Sequence, residues 1–369
     1  MPVPASVPAT TPPLRVGFIG LGGIFRTHAK LLKALPGVEL VCGADPEVGQ
    51  AAKHAAEHGI PATAIYADYR EMLAKERLDA VSVCTPNALH VDPCIAAARA
   101  GLHVLVEKPM AMTPAECQRM IDASKAAGKA LVVGFQWRFD PRTRLIRRQL
   151  DEGRIGKPLY VRVQALRRRG IPNWGVFGRK ELQGGGPMID IGVHVCEMAH
   201  YAVGSPKPVA ASGAIRTYLG DKPSDIACMW PGWDHATYTV EDLAVGMVRF
   251  DTGLVMVIES SFAAHIEKDL WTFQVMGDKG GCTFDPMVFF HDHHGYMWNE
   301  QPAFTGSADV SGHGGGAWND VFAAKMRHFV EVCRGQRSNL CPGEDGLAVQ
   351  QILDGIYRSA AAGREVPIA

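Results

Sequence analysis

The chain reads Leu14-Arg-Val-Gly-Phe-Ile-Gly20-Leu-Gly-Gly-Ile-Phe25 near its start, a short β-rich run that ends in glycines. Gly20 would permit a tight turn, and Gly22 would let the backbone approach a pyrophosphate at the N-terminus of a following helix. Phe25 occupies the third position of this glycine fingerprint, where glycine normally allows close packing of helix on strand. The stretch as a whole predicts a dinucleotide-binding turn.

Strand-like and helix-like segments alternate through the first third of the chain. This alternation predicts a parallel, doubly wound sheet, which binds ligands at the carboxyl ends of its strands. The predicted strands are 14–20, 38–45, 78–84, 103–106 and 130–135. The predicted helices are 25–35, 47–58, 88–100 and 114–127.

Asp45 ends the second predicted strand and bears on the choice of cofactor. A carboxylate at this position can accept hydrogen bonds from both ribose hydroxyls, but it would repel a 2′-phosphate. Two like charges about 4 Å apart repel by roughly 4 kcal/mol at an effective dielectric constant of about 20, before screening by solvent. Because Pro46 and Glu47 add no positive charge, the sequence favours NAD over NADP.

The pattern changes beyond Asp140, where strand-like runs are separated by short turns. Strands joined in this way predict a mostly antiparallel sheet. The predicted strands are 159–165, 241–250, 254–261 and 271–276, and the predicted helices are 142–152, 318–333 and 346–362.

These patterns together predict an α/β protein of two domains. A disordered tail is expected over residues 1–13. A Rossmann domain, with its doubly wound parallel sheet, is expected over 14–138. An α+β domain with a large, open, mostly antiparallel sheet is expected over 139–369. This second sheet should form one wall of a substrate cleft, and its other face could bury against a second subunit.

Lys108 follows the apolar run His103-Val-Leu-Val106 and precedes Pro109. A lysine at the carboxyl end of a parallel strand can face the crevice in which such sheets bind ligands. The sequence therefore predicts a functional amine at this edge of the sheet.

A second polar motif is Gly184-Gly-Gly-Pro-Met-Ile-Asp190-Ile-Gly-Val-His194, in a helix predicted from Met188 to about Ala202. Residues four apart share one helix face, so Asp190 and His194 would lie together. Glu197 would fall on the same stripe, and the opposite side, with Ile191, Val195 and Met198, would face the core. His194 could instead be a structural histidine with Asp190 as its partner. The triple glycine, which lets another molecule approach closely, favours a functional pair.

Composition excludes several classes of function. The 369 residues carry 38 basic and 38 acidic side chains, so there is no electrostatic basis for binding nucleic acid or an anionic membrane surface. No apolar stretch approaches the ~20 residues that a membrane helix needs. The nine cysteines include no Cys-x-x-Cys pair and are expected to be reduced and buried. With no signal-like start, the protein is expected to be cytoplasmic.

The motifs resemble those of the Gfo/Idh/MocA oxidoreductases, named for glucose–fructose oxidoreductase and inositol dehydrogenase. The resemblance covers nearly the whole chain from Leu14. It rests on the glycine stretch to His28, on Thr85-Pro-Asn87 with His90, on Glu107-Lys-Pro109, and on the Gly184–His194 motif. It implies a Rossmann domain, then an open, mostly antiparallel sheet domain, and a homodimer or homotetramer formed through that sheet.

The resemblance also implies roles for individual residues. Lys108 corresponds to the family's catalytic lysine, and Asp190 with His194 corresponds to its Asp/His pair. The Lys108–Pro109 bond is expected to be cis. The residues expected to bind the cofactor are Gly20, Gly22, Gly23, Ile24, Phe25, Asp45, Thr85, Pro86, Asn87, His90, Glu107 and Lys108.

Further residues could contact a sugar beside Lys108, Asp190 and His194. Arg138 and Trp174 are predicted to bind substrate, and Trp137 and Trp318 are also suited to stacking on a sugar ring. The run Arg167–Arg169 is more typical of a solvated or interface segment. His291-Asp-His-His294 lies in a predicted loop with no second ligand cluster, so no metal site is expected. His265 and His313 could reach the cleft.

Oxidation of a secondary alcohol needs a base for the hydroxyl proton and an acceptor for the hydride, which NAD would supply. His194 is the predicted general base, Asp190 would orient the imidazole or bind a neighbouring hydroxyl, and Lys108 would hydrogen-bond the reacting oxygen. Lys108, with a pKa depressed by burial, remains open as the base.

The leading hypothesis is an NAD-dependent dehydrogenase or reductase acting on a sugar, glycoside or inositol. One alternative is a glycoside-cleaving enzyme that oxidises and re-reduces its substrate with bound NAD. Another is a non-catalytic regulator that senses the cofactor. The intact set of Lys108, Asp190 and His194 argues against the regulator, because a sensor needs no such set.

Overall fold

The computed structural model describes residues 12–304 and 315–368. The first of its two sheets is parallel and has six strands. Its order, β3-β2-β1-β4-β5-β6, is that of a doubly wound Rossmann sheet, as predicted. The strands are β1 Leu14–Ile19, β2 Val38–Ala44, β3 Ile65–Tyr66, β4 Ala80–Val83, β5 His103–Val106 and β6 Leu131–Val133. The strand β3 was not predicted, because a two-residue strand leaves no alternation to detect.

Among the described residues, five helices that alternate with these strands pack against the sheet, and local signals set their ends. Thr113 and Glu116 form a capping box around Pro114, which starts the fifth helix. Asp68 caps the third helix by accepting from the backbone N–H of Arg70. The helices are α1 Gly23–Lys33, α2 Val48–Ala56, α3 Tyr69–Lys75, α4 Val91–Arg99 and α5 Pro114–Ala126.

The second sheet has nine strands in the order β14-β13-β12-β11-β7-β10-β9-β8-β15. Only β7 and β10 pair in parallel among the pairs described, so the sheet is mostly antiparallel, as predicted. The helices of this part are α6 Pro141–Asp151, α7 Lys180–Gln183, α8 Val193–Ala202, α9 Gly315–Cys333 and α10 Gly343–Ala362. The strands are β7 Pro158–Leu166, β8 Pro208–Arg216, β9 Leu243–Phe250, β10 Val255–Ser261, β11 Leu270–Gly277, β12 Gly280–Thr283, β13 Val288–His293, β14 Tyr296–Glu300 and β15 Val366–Pro367.

Helices α8 and α10 cover one face of the nine-stranded sheet. Their approach is close, since a Cβ at Gly246 would lie 2.4 Å from Cδ1 of Ile356, and one at Gly213 would lie 2.5 Å from the carbonyl oxygen of Ile356. Glycine on adjacent strands therefore lets α10 sit directly on the backbone. The opposite face of the sheet carries no helix in the described part of the chain.

The C-terminal helices return to the first sheet. Helix α9 packs on α1, and α10 packs on α5. Between them, the carbonyl of Cys341 accepts the backbone N–H of Val133 at 2.8 Å, and Asn339 Nδ2 donates to the carbonyl of Leu131. The edge of β6 is therefore covered by a segment from the far end of the chain.

Two local predictions are corrected. His291–His293 belong to β13 and His294 lies in the turn that leads to β14, so this motif is a hairpin rather than a loop. The helix predicted from Met188 begins as a π-helical turn, Met188–Gly192, and becomes α-helical at Val193. Wide turns of this kind are frequent at functional sites. No helix in the described residues has the length and apolar character to cross a bilayer.

Candidate active site

A cleft of about 780 Å³ lies between the carboxyl edge of the parallel sheet and the helix-covered region of the second sheet. One end is lined by the glycine turn before α1, and the middle by Thr85–Asn87 and Lys108. Asp190, His194 and Trp271 line the facing wall. The cleft is large enough for a dinucleotide to lie beside a small substrate.

The glycine end of the cleft fits a pyrophosphate. Gly20 has a φ of +84°, and a Cβ there would lie 2.8 Å from the backbone of Cys84, so only glycine is suited to this turn. A Cβ at Gly22 or Gly23 would meet nothing within 4 Å. No side chain caps the N-terminus of α1 at Gly22, and its first turn holds no acidic residue. The backbone amides of this turn are thus available to an anionic group.

The side chain of Phe25 does not line the cleft, so its predicted contact with the cofactor would fall to the backbone alone. Its side chain is fully buried and packs edge-on against Phe18, with ring centroids 4.9 Å apart. The ring fills the space between α1 and β1, where the fingerprint usually places glycine for close packing. Ile24, one residue earlier, does line the cleft.

Asp45 lies at the end of β2 and fixes the glycine turn. Its Oδ2 accepts the backbone N–H of Leu21 at 2.8 Å, and its Oδ1 accepts that of Glu47 at 2.9 Å. The carboxylate therefore stands beside the turn that would hold the pyrophosphate. This is the location in which an acidic residue can also reach a ribose.

Lys108, just after β5, and Asp190, in the π-helical turn before α8, meet across the cleft. Lys108 Nζ donates to the carbonyl oxygen of Asp190 at 2.9 Å and lies 3.3 Å from its Oδ1. The two side chains are only 14% and 12% exposed, so the pair is largely shielded from solvent. The Lys108–Pro109 bond is cis.

His194, at the start of α8 and four residues after Asp190, stands on the same wall, with its ring centroid 5.9 Å from that of Trp271. Burial lowers the pKa of His194 well below 6.5, and the nearby charge of Lys108 lowers it further. The imidazole is therefore neutral near pH 7, the state in which it can accept a proton. The structure thus brings together the three residues predicted to be catalytic.

Glu197 does not join them, contrary to the stripe predicted for this helix. It is buried against the guanidinium of Arg138, whose Nε donates to it. Burial raises the pKa of Glu197 to about 7, against the lowering effect of Arg138. Both sides of α8 are buried, so the helix has no solvent-facing stripe near the site.

Arg138 is likewise absent from the cleft, which corrects the prediction that it binds substrate. It is 2% exposed and bonds to Glu197, Asp345 and the carbonyl of Leu340. A cation held between two carboxylates joins the end of β6 to α8 and α10. Its role is structural, whereas Trp137, the residue before it, lines the cleft.

Thr85, Pro86 and Asn87 line the cleft where β4 ends. Asn87 Nδ2 donates to the carbonyl of Gln183, which links this loop to the facing wall. His90 is fully buried, and its ring lies 2.9 Å from the carbonyl of Pro109 and 3.0 Å from that of Thr85. It supports the loops that carry the residues predicted to bind the cofactor, but its own ring does not line the cleft.

Glu107 lines the cleft and belongs to a buried cluster that the sequence did not reveal. Its Oε1 lies 2.9 Å from His28 Nε2, and Lys325 Nζ donates to the same oxygen. Burial opposes ionisation of Glu107, but Lys325 and His28 hold its pKa well below the usual range. Burial and then Lys325 lower the pKa of His28 to about 4. Helix α9 therefore supplies a buried cation directly beneath the residue that precedes Lys108.

Glu241 is a second residue that the sequence did not reveal. Its Oε2 accepts the backbone N–H of Gly186 at 2.9 Å, and its Oε1 accepts the hydroxyl of Tyr357 at 2.7 Å. A Cβ at Gly186 would lie 1.9 Å from the carbonyl oxygen of Glu241. The triple glycine therefore serves this close internal contact, which fixes the start of the turn that carries Asp190.

The remaining candidates fall in different places. Trp174 and Arg167 line the cleft, so Arg167 is not part of a solvated segment. His265 lies 2.9 Å from Arg169 and is not among the lining residues. His313 and the side chain of Trp318 lie outside the described residues. Within residues 12–304 and 315–368, no group of three His, Cys, Asp or Glu side chains is placed to hold a metal ion.

Several buried histidines make the folded state sensitive to acid. Their pKa values are lowered chiefly by burial, so below pH 6.5 the unfolded chain binds more protons than the folded one and stability falls. Glu197, whose pKa burial raises to about 7, acts in the opposite direction, but the histidines are more numerous. The free energy of unfolding, measured with urea, is therefore expected to decrease between about pH 7 and 5. The histidines concerned are His28, His90, His194, His200 and His328.

His328 offers a direct check, because burial lowers its pKa to about 4 and its Nε2 accepts the backbone N–H of Leu340. The His328→Gln variant should lose less stability on acidification than the parent protein. The exposed His235→Gln should follow the parent. A parent whose stability is unchanged over this pH range would contradict the prediction.

Comparison with known proteins agrees with this arrangement. Residues 14–135 match the oxidoreductase family model with the NAD-binding Rossmann fold, and residues 143–283 match the GFO/IDH/MocA C-terminal domain. The chain is 34% identical to D-glucoside 3-dehydrogenase of Escherichia coli (strain K12), over 97% of this chain and 99% of that protein. It is 28% identical to levoglucosan dehydrogenase of Pseudarthrobacter phenanthrenivorans, over 94% of this chain and 96% of that protein.

Among solved structures, levoglucosan dehydrogenase in complex with NADH and levoglucosan is similar with a TM-score of 0.80 and 26% identity, covering 96% of this chain and 99% of that one. The fold and the site define an oxidoreductase built on an NAD-binding Rossmann domain. The chain belongs to the Gfo/Idh/MocA family, which confirms the resemblance found in the sequence motifs.

Proposed function

We propose that this protein is an NAD-dependent dehydrogenase that oxidises a secondary hydroxyl on the ring of a sugar or glycoside. The meeting of Lys108 with Asp190 across the cleft, beside a buried His194, carries the proposal. The relative at 34% identity is a D-glucoside 3-dehydrogenase, and two further relatives are inositol dehydrogenases, which supports a cyclic polyol as the substrate.

Different groups would carry out the two halves of the reaction, hydride transfer and proton transfer. When bound, NAD would accept the hydride from the carbon of the substrate. His194, neutral because of its burial, would take the hydroxyl proton. Lys108 would donate a hydrogen bond to the reacting oxygen and stabilise the negative charge that develops there. Asp190 holds the amine of Lys108 in place and could accept a neighbouring hydroxyl of the ring.

The cofactor side of the cleft would hold NAD through the chain's own groups. The amides at Gly22 and Gly23 would bind the pyrophosphate, and Thr85–Asn87 would line the nicotinamide side. Asp45, beside the glycine turn, favours NAD over NADP because its charge would repel a 2′-phosphate.

Asp45 gives a test of cofactor choice. Asp45→Asn keeps an oxygen that can accept from Leu21 but removes the charge, so the preference for NAD over NADP in kcat/KM should fall about tenfold or more. Asp68→Asn, an exposed capping residue elsewhere in the same domain, is the control and should leave the preference unchanged. An unaltered preference in Asp45→Asn would show that the charge does not set the choice.

The proposed reaction is tested directly by a substrate panel. Glycosides, monosaccharides and inositols, together with their keto forms, are incubated with NAD or NADP while absorbance of the reduced nicotinamide is followed. We expect reduced cofactor to accumulate with at least one glycoside or free sugar and not with the His194→Ala variant. Release of the aglycone without reduced cofactor, or no turnover of any compound, would refute the proposal.

We further propose that the protein forms a homo-oligomer through the uncovered face of the nine-stranded sheet. Apolar side chains on that face alternate with polar ones, such as the Arg162–Glu259 pair at 3.0 Å. Met276 is 50% and Val245 is 36% exposed there. A mixed surface of this kind is suited to a stable interface between two copies. The nine free cysteines agree with a cytoplasmic, reducing location.

A further inference from the structure

The substrate wall of the cleft continues outward from Asp190 to Arg167. Arg167 follows β7, and its backbone is fixed by hydrogen bonds with Ser261 and Ala264. Arg167 and Asp190 line the same cleft, where burial lowers the pKa of Arg167 and the charge of Asp190 opposes that shift. Among the described residues, the guanidinium makes one hydrogen bond, from Nη1 to the carbonyl of Gly170. A positively charged, planar group therefore lies next to the predicted catalytic residues.

Aromatic side chains extend this wall toward the mouth of the cleft. The Arg167 guanidinium lies 4.9 Å from the ring centroid of Trp230. Trp230 in turn meets Trp174 edge-on at 4.7 Å, and Trp174 meets Phe177 at 5.9 Å. Trp174 and Phe177 line the cleft, and Trp174 is 49% exposed although it sits among other rings. We call Arg167, Trp174, Phe177 and Trp230 the outer cluster.

Hydrogen bonds hold the two segments that carry the outer cluster. Asn173 Nδ2 donates to the carbonyl of Pro231, which ties the Trp174 segment to the Trp230 segment. The long connection between β8 and β9 is anchored by Asp242, whose fully buried carboxylate accepts the backbone N–H groups of Tyr218, Leu219 and Gly220. The segment that carries the half-exposed ring of Trp174 is therefore joined to the Trp230 segment, whose connection to β8 is anchored at Tyr218–Gly220.

We propose that the outer cluster is a subsite for a second ring, joined to the oxidised sugar by the glycosidic bond. Glycosides whose attached group contains a ring should then be better substrates than those with a small attached group. This inference rests on the proposed function. The ring that reacts lies beside Lys108, Asp190 and His194, and the group attached to it would extend along the wall to Trp174. A tryptophan face stacks on the apolar face of a sugar or on an aryl ring, and the guanidinium of Arg167 suits hydroxyl groups near the bond between the rings.

The test compares glucosides that differ only in the attached group. Initial rates with NAD are measured for methyl glucoside, phenyl glucoside and the disaccharide cellobiose. In the parent protein, kcat/KM should be about tenfold higher for at least one two-ring compound than for methyl glucoside. In the Trp174→Ala variant, kcat/KM for the favoured two-ring compound should fall about tenfold more than kcat/KM for methyl glucoside. Trp174→Phe should retain most of the advantage.

Met229→Ala is the control, because Met229 is 75% exposed on the same loop and lies outside the outer cluster. An advantage with cellobiose alone would identify a sugar as the second ring, and one with phenyl glucoside alone would identify an aryl group. Equal kcat/KM for all three glucosides, or an equal loss for all three in Trp174→Ala, would overturn the subsite. Failure of the proposed function looks different, since no glucoside would then be oxidised.

Discussion

Replacing Lys108 with Met is expected to lower kcat for sugar oxidation by about 10²-fold or more. The change removes the amine that lies 2.9 Å from the carbonyl of Asp190 and would donate to the reacting oxygen, while it keeps most of the apolar side chain. Loss of the positive charge also removes one cause of the lowered pKa of His194, so activity should decline at a higher pH on the acidic side. Steady-state kinetics across pH measure both effects.

Lys180→Met is the matched control, because Lys180 is exposed in α7 and does not line the cleft. His194→Ala should show a comparable loss of kcat with NAD binding largely intact, since the ring faces the substrate side beside Trp271. If Lys108→Met kept full turnover, the pair at the centre of the cleft would not take part in the chemistry.

Replacing Lys325 is expected to cause a large loss of folding stability. Its Nζ is completely buried and donates to Glu107, so Lys325→Met leaves a buried carboxylate without its cation. Removing one partner of such a pair costs about 3–5 kcal/mol, and we expect this loss in the free energy of unfolding measured with urea. The loss should shrink at low pH, because Glu107 without Lys325 would bind a proton more readily.

Arg327→Met, on the exposed side of the same helix, controls for the change in helix composition and should alter stability by less than about 0.5 kcal/mol. A Lys325→Met protein as stable as this control would mean that the buried cluster contributes nothing to the fold. A double change, Lys325→Met with Glu107→Gln, should regain part of the lost stability, because no charge then remains unpaired.

The sequence predicted the parts of the fold that depend on local pattern. Alternating strands and helices gave the parallel sheet, and short turns between strands gave the antiparallel one. Strands with weaker local signals, such as β8 and β14, were not predicted. The burial of the polar side of α8 was not predicted either, because a stripe of polar residues does not show which neighbours will bury it.

The same contrast applies to the candidate site, where residues in local motifs were predicted and residues that depend on distant contacts were not. Lys108, Asp190 and His194 carry motif signals and lie together in the cleft. Lys325, Glu241 and Arg167 carry none, because their significance arises from contacts with residues far away in the sequence. The side chains of Phe25, His90 and Arg138 lie outside the cleft for one reason. A residue adjacent to a ligand-binding motif can point into the protein interior, and only packing decides its direction.

The segment that covers the edge of β6 has a consequence for how the protein is made. The N-terminal half emerges first from the ribosome, yet two of its features are completed only by residues near the other end of the chain. These are the free side of β6, which pairs with Cys341, and the carboxylate of Glu107, which meets Lys325. A fragment ending near residue 138 would present an open strand edge and an uncompensated interior charge. We therefore expect the isolated nucleotide-binding part to be less stable than the same residues within the complete chain.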